Sequence, residues 1–173
     1  MKKSNFKESL GAIAVFISRL GFLPANFSPL GSFGFFSNNI YIYFASIFFF
    51  DLLVGGFYKG NIFTYAGFLA YYLLGKLAKN NPTKQALFLP LASLSFFILS
   101  NLGSWYFWYP HTYAGLAACY IAALPFYRNT LLSDITFGYS YIWYKQFKKS
   151  KQENRLKNWS IADHQQIQLG KSA

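Results

Sequence analysis

The sequence predicts an all-α polytopic membrane bundle, about six transmembrane helices plus a short re-entrant or half-helix element, and three observations carry that expectation. Only 12% of the 173 residues are charged, while 54% are hydrophobic and 23% aromatic; an ordinary soluble domain carries roughly 25% charge. The charges also avoid the middle of the chain. Between Ser9 and Tyr144 the acids are Asp51 and Asp134, and the bases are Arg19, Lys59, Lys76, Lys79, Lys84 and Arg128. Crossing about 30 Å of hydrocarbon takes about 20 helical residues, so a chain of this length supplies roughly six crossings and little else.

The first segment, about Ser9 to Leu23, follows Lys2, Lys3 and Lys7 as a signal peptide would. Arg19 interrupts its apolar run and no small-residue cleavage site precedes Pro24, so it reads as a retained helix ended by that proline. A turn of Ala25, Asn26, Phe27 and Ser28 leads to a short second segment, Pro29 to Ser37, whose Gly31 and Gly34 either break it or allow close packing. Asn38 and Asn39 separate it from the third, Ile40 to Val54, which Gly55 and Gly56 stop. The fourth runs from Ile62 to Leu77 and meets a polar loop with Lys79, Asn80, Asn81, Pro82 and Lys84. The fifth, Ala86 to Phe107, is the longest. Thr112 to Pro125 is a short apolar stretch, and Thr130 to Trp143 is the sixth crossing. Residues 1–144 therefore form one transmembrane domain, and 145–173 a basic polar cytoplasmic tail.

Orientation follows from counting positive charge. A full crossing by Thr112 to Pro125 would make seven and put the tail opposite Lys2, Lys3 and Lys7, against the positive-inside rule. A re-entrant stretch leaves six, with both termini cytoplasmic in a bacterial inner membrane and Lys76, Lys79, Lys84, Lys145, Lys148, Lys149, Lys151 and Lys171 on the inner side. Irregular backbone at membrane depth needs protein or a wet cavity to cover it, so this arrangement predicts an outer cavity. The net charge of +11, a nucleic-acid signal in a soluble chain, reads here as a topology signal, and no nucleic-acid partner is expected.

Ionisable groups inside membrane segments are usually functional, which singles out Asp51 and Asp134. Each has a structural alternative: pairing with Arg19 or Arg128, or capping a helix end. The functional reading sets both beside Asn26, Asn101, Arg128 and Asn129 around a polar pocket, with Trp105, Tyr109 and Phe27 as its apolar cover; Trp105 and Tyr109 equally suit an interfacial belt. Cys119 reads as a packing residue and His111 as an ordinary loop histidine. No metal-ligand spacing, phosphate loop or nucleophile motif occurs, so neither an enzyme nor a cofactor or metal site is expected.

Three patches carry a resemblance: Asn26 to Gly31 (NFSPLG), Asp51 to Gly55 (DLLVG) and Tyr109 to Asp134 (YPHTYAGLAACYIAALPFYRNTLLSD). They resemble a family of small bacterial membrane proteins described as transport proteins, similar in turn to the substrate-binding S components of energy-coupling factor (ECF) vitamin transporters. The most specific part is Ala123, Leu124, Pro125, Phe126, then Asn129, Thr130 and Asp134, similar to the pattern that opens the last S-component helix. Ser133 stands where glycine is common. The resemblance implies six helices, an outer pocket in which Asp134 helps to bind substrate, and docking on an energy-coupling transmembrane subunit with two ATPases. Such docking uses small residues spaced by four on the first helix, to which Ala14 and Ser18, with Gly11 further back, are the nearest match here; a solitary transporter, as among cobalamin-specific relatives of S components, is the other form the resemblance allows. It also implies uptake of a small nutrient, a vitamin such as cobalamin, with membrane lipid around the bundle. The alternative reading is a non-catalytic accessory or structural subunit of a membrane complex.

Overall fold

The computed structural model describes residues 3–21 and 23–170; Lys2 and Lys171, both used in the charge count, lie outside them. All regular structure among the described residues is helical: α1 (Lys3–Ser18), α2 (Leu30–Phe36), α3 (Ile40–Phe50), α4 (Asn61–Leu77), α5 (Pro82–Trp108), α6 (Tyr113–Ser133) and α7 (Ser140–Gly170), with π-helical stretches at Asp51–Gly55 and Asp134–Tyr139. By their internal contacts the residues fall into two units, Met1–Tyr139 and Ser140–Ala173.

Side-chain caps begin the helices where the sequence places its polar breaks. Asn39 accepts hydrogen bonds from the Tyr41 and Ile42 amides at 3.0 and 3.4 Å, Asn81 from the Lys84 amide at 3.0 Å, and Thr112 from the Gly115 amide at 3.1 Å. Each satisfies a donor that the first helical turn leaves without a partner. Pro82 occupies the start of α5, where its missing N–H costs nothing. After α3 the Gly56 amide reaches back to the Asp51 carbonyl at 2.7 Å, and its φ of +73° ends the helix.

Several boundaries differ from expectation: α5 begins at Pro82, ahead of Ala86, and the expected Thr130 to Trp143 crossing is divided among α6, a π stretch and α7. α1 stops at Ser18, short of Pro24, because tighter turns close behind it: the Arg19 amide bonds the Phe16 carbonyl at 3.1 Å and the Leu20 amide the Ile17 carbonyl at 3.0 Å. The expected re-entrant element does not form. Thr112 to Pro125 and the first residues of the expected sixth segment are one helix, α6, with Pro125 inside it. A proline within a helix removes one hydrogen bond without obliging the chain to leave, and Phe126 to Ser133 contain no glycine or second proline to stop it. Beyond Tyr144 the expected polar tail is helical, within α7.

Hydrogen bonds fix the directions of the helices in the first unit. At one end Glu8 of α1 accepts from the Asn38 and Asn39 amides at 3.2 and 3.0 Å and from the Ser37 hydroxyl at 3.2 Å, and Lys76 of α4 donates to the Asn38 carbonyl at 3.2 Å. The start of α1, the end of α2, the start of α3 and the end of α4 therefore meet there. At the other end Arg19 lies over the Phe50 ring at 3.6 Å, and Trp108 meets Tyr58. Successive helices α1 to α6 thus run in alternating directions.

The shortest helix is the hub. α2 packs against α1, α3, α4, α5 and the π stretch after α6, and Leu30, Gly31, Ser32, Gly34 and Phe35 are all buried. The core around it is aromatic, with Tyr43, Tyr71 and Phe68 beside Ile47 and Leu89. Outward faces are different: Ile62 is 71% exposed, Leu87 66% and Ile121 66%. α5 is long and apolar enough to cross a membrane, and only 22% of its most apolar 18-residue window is buried.

A Cβ at Gly75 would collide with the Phe35 carbonyl, a backbone atom that cannot swing aside. Gly75→Ala is therefore expected to cost about 1 to 3 kcal/mol or more by overpacking, read as a lowered unfolding midpoint in detergent. Gly11→Ala, facing the edge of the Phe33 ring at 3.0 Å, should cost clearly less.

Candidate functional site

Two hollows adjoin at the end of the bundle where α1 and α3 finish. The first, about 410 Å³, lies under the loop from Pro24 to Ser28 and is floored by Gly31 and Tyr71. The second, about 340 Å³, lies between Asp51, Thr64 and Asn101. Arg19, Asn26, Phe68, Phe96 and Thr130 line both, so the two share a wall. Each volume falls in the range of small-molecule pockets, roughly 300 to 1,000 Å³.

Four elements supply the polar groups. Arg19 follows α1 in a tight turn that holds its guanidinium over the Phe50 ring. Its Nη1 is buried without a hydrogen-bond partner. Asp51 begins the first π stretch and is half-buried, with one carboxylate oxygen accepting from the Tyr65 hydroxyl at 2.8 Å. Asn101 donates to the Phe97 carbonyl one turn back at 2.7 Å, and its own carbonyl lies 3.5 Å from the Cys119 sulfur. Asn26 sits in the loop with φ +60°, a left-handed conformation that asparagine tolerates better than most residues.

The remaining residues singled out from the sequence lie elsewhere. Asp134 is only 1% exposed and sits behind the first hollow. Its carboxylate accepts from the Tyr71 hydroxyl and from the Ser32 hydroxyl, the latter at 3.1 Å. Gly31 makes that approach possible, since a Cβ there would lie 2.7 Å from the Asp134 carboxylate and 2.6 Å from the Tyr71 ring. Asp134 thereby joins α2, α4 and the segment after α6. Neither aspartate forms an ion pair with an arginine; the ion pair found among the described residues is Lys149 to Glu153, 3.8 Å apart in α7.

Asn129 donates to the Ala25 carbonyl at 3.0 Å, and Ser133, where glycine was the expected residue, donates to the Ser28 carbonyl at 2.5 Å. Both hold the loop that covers the first hollow. Trp105 lies in the last turn of α5 and Tyr109 caps its end: the Trp105 indole donates to the Pro110 carbonyl at 3.1 Å, and the Tyr109 amide to the Trp105 carbonyl at 3.2 Å. Neither lines a hollow, and neither does Arg128, which is exposed. Of the eight chosen residues, the hollows gather Asn26, Asp51 and Asn101.

Sequence reasoning missed Tyr65, Tyr71, Phe68 and Phe96 as lining or supporting groups. In a chain with 14 Tyr and 21 Phe, residue type alone cannot separate a wall residue from a core or lipid-facing one. Arg19 carries a usable signal, as the single cation in the first apolar run, although in the sequence it reads equally as an interruption of that run and an ion-pair partner. No group of three or more His, Cys, Asp or Glu able to hold a metal occurs among the described residues.

Residues 3–154 match the model of a family of unknown function, DUF6580. No curated protein and no solved structure matches the chain.

Tyr71→Phe removes the strongest donor from a buried carboxylate and leaves that group undersatisfied. It should cost about 1 to 3 kcal/mol, measured as a loss of thermal stability. Arg128→Ala, a change on an exposed side chain, should fall within about 0.5 kcal/mol of the unmodified chain.

Proposed function

The chain belongs to the DUF6580 family, and we propose that it is a multi-pass protein of the bacterial inner (cytoplasmic) membrane that binds a small nutrient in the two adjoining hollows and carries it inward. In this reading it works as a substrate-binding component of the ECF S type. Both termini face the cytoplasm, and the hollows open towards the outer side.

Three features support the membrane part. Large apolar side chains such as Leu53, Ile62, Leu87 and Ile121 face outward, each more than half exposed, and lipid would cover them without aggregation. Alternation of α1 to α6 gives an even number of passages, and the π stretch after α6 carries the chain on towards the end that holds Lys76, where the Tyr139 hydroxyl donates to the Ala86 carbonyl at 2.9 Å. The short α2 completes its passage with the loop from Pro24 to Ser28, whose exposed carbonyls at Ala25 and Ser28 are bonded by Asn129 and Ser133. Irregular backbone at depth, expected at Thr112 to Pro125, thus falls to this loop, where protein covers it and a cavity lies beneath.

The observation that carries the binding part is the convergence of Arg19, Asp51, Asn101 and Thr64 with the rings of Phe68 and Phe96 around space of small-molecule size. Few polar anchors on an apolar wall are what orient a ligand and exclude water. No bond is broken in this reading, and no acid, base or nucleophile is required. Movement would come from rocking of the bundle, in company with an energy-coupling subunit and two ATPases. To such a subunit α1 offers Leu10, Ile13, Ala14 and Ile17, all exposed; Gly11 instead turns towards Phe33.

Thermal unfolding of the purified full chain against a panel of vitamins, cobalamin included, tests this reading. A true ligand at 100 times its Kd should stabilise the protein by about 2.7 kcal/mol. Asp51→Asn and Asn101→Ala should shrink that response, whereas Arg128→Ala should keep it. Asp134→Asn should lower the starting stability and still respond. Silence of the unmodified protein across the panel, with no small molecule found by mass spectrometry in the purified sample, would defeat the proposal. Labelling of single introduced cysteines in intact cells checks orientation: Asn80→Cys should be reachable only from the cytoplasm, and Lys59→Cys only from outside.

A further inference from the structure

We infer that the ligand of these hollows carries an anionic oxygen group that pairs with Arg19, and at its other end hydrogen-bond donors that reach Asp51. This rests on the binding reading above and adds the chemical class of the ligand.

Arg19 is a cation that no direct contact with an anion answers: Asp51 is near enough to favour its charge but forms no ion pair with it. A guanidinium has five donors and does not lose its proton in proteins, so Arg19 stays cationic wherever it is held. It is partly buried, its Nη1 is sealed from water without a partner, and no hydrogen bond or ion pair joins its side chain to a described residue. Burying an unpaired charge is costly, and native structures normally supply a counter-charge. Phe50 supplies only its ring face, 3.6 Å below, and a cation–π contact leaves the donor edges of the fork unused. Those edges belong to a residue that lines both hollows. A planar carboxylate, or a phosphate, matches that fork with two parallel bonds.

The second pole is separate. Asp51 lines only the second hollow, with Tyr65 donating to one of its oxygens. The two opposite charges therefore share one cavity system without cancelling each other by direct contact. Phe68 and Phe96, their ring centroids 4.7 Å apart, form part of the wall that the hollows share. A molecule that satisfies all three carries an acid group for Arg19, N–H or O–H donors for Asp51, and an apolar or ring-bearing face for the two rings.

An anionic oxygen group could come from a soluble acid or from the phosphate of an anionic lipid, and the experiment separates them. The detergent-solubilised full chain is melted with matched pairs of acid and neutral analogue: nicotinate and nicotinamide, biotin and biotinamide, pantothenate and pantothenol. A further arm contains phosphatidylglycerol alone. The expected result is that the acid of at least one pair stabilises the protein and its neutral analogue binds at least tenfold more weakly. Arg19→Gln should abolish that preference and Arg19→Lys should retain part of it, each compared with its own ligand-free midpoint. An acid and its analogue that bind equally would overturn the inference and leave the binding reading standing. So would a ligand from the wider panel with no anionic group. An Arg19-dependent response to phosphatidylglycerol with none to any acid would assign the anion to lipid and overturn the soluble-nutrient claim. Silence in every arm and across the whole panel would remove the binding reading itself.

Discussion

The arrangement depends on one buried carboxylate. Asp134 is enclosed with Tyr71 and Ser32, whose hydroxyls donate to it, so that α2, α4 and the segment after α6 meet at a single point. An unsatisfied carboxylate would be untenable there, and the hydroxyls make it tenable only when all three elements are in register. The bond from Ser133 to the Ser28 carbonyl, one residue before Asp134, extends the same junction to the loop above. This cluster fixes the floor on which Tyr71 and Gly31 form the base of the first hollow. Asp134 thus shapes the cavity from behind its wall.

Much of the fold was legible because polar residues punctuate the chain sparsely. Asn39, Asn81 and Thr112 each interrupt an apolar run, and each caps the helix that follows. Gly55 and Gly56 end the helix that Asp51 enters. The difference at Thr112 to Pro125 has a physical source: a short apolar stretch and a charge count do not show where a helix ends, and a helix packed on its neighbours continues through Pro125 despite the loss of one hydrogen bond. α6 is braced on α5 by the Tyr120 hydroxyl, 2.7 Å from the Ile98 carbonyl, and by Phe97 against Tyr127. Such bracing joins residues far apart in sequence, and no local pattern announces it.

The candidate site was legible by charge and illegible by wall. Asp51, Asn26 and Asn101 stand out in apolar surroundings and do line the hollows. Asp134 stands out equally and belongs to the core, because a rare polar residue marks a constrained place without saying whether water or protein surrounds it. Arg128 and Trp105 stand out beside them, but Arg128 is exposed and the Trp105 indole, one turn beyond Asn101, is taken up by the Pro110 carbonyl. Conversely, Glu8 lies among the basic residues of the N-terminus and attracts no attention in the sequence, yet it clamps the turn between α2 and α3 through three hydrogen bonds.

Both aspartates open a π-helical stretch, and these stretches bear on how the chain can vary in length. A π turn holds one residue more than the α turns around it, so side chains before and after it are out of phase with an ordinary helix. Within 134–139 the wide turn absorbs that extra residue locally, and Gly138 fits closely on Leu89 there. The chain thus accommodates a change of length inside a helix as well as in the turns near Lys59 and Lys79, and at these two places the helix already carries its own supernumerary residue.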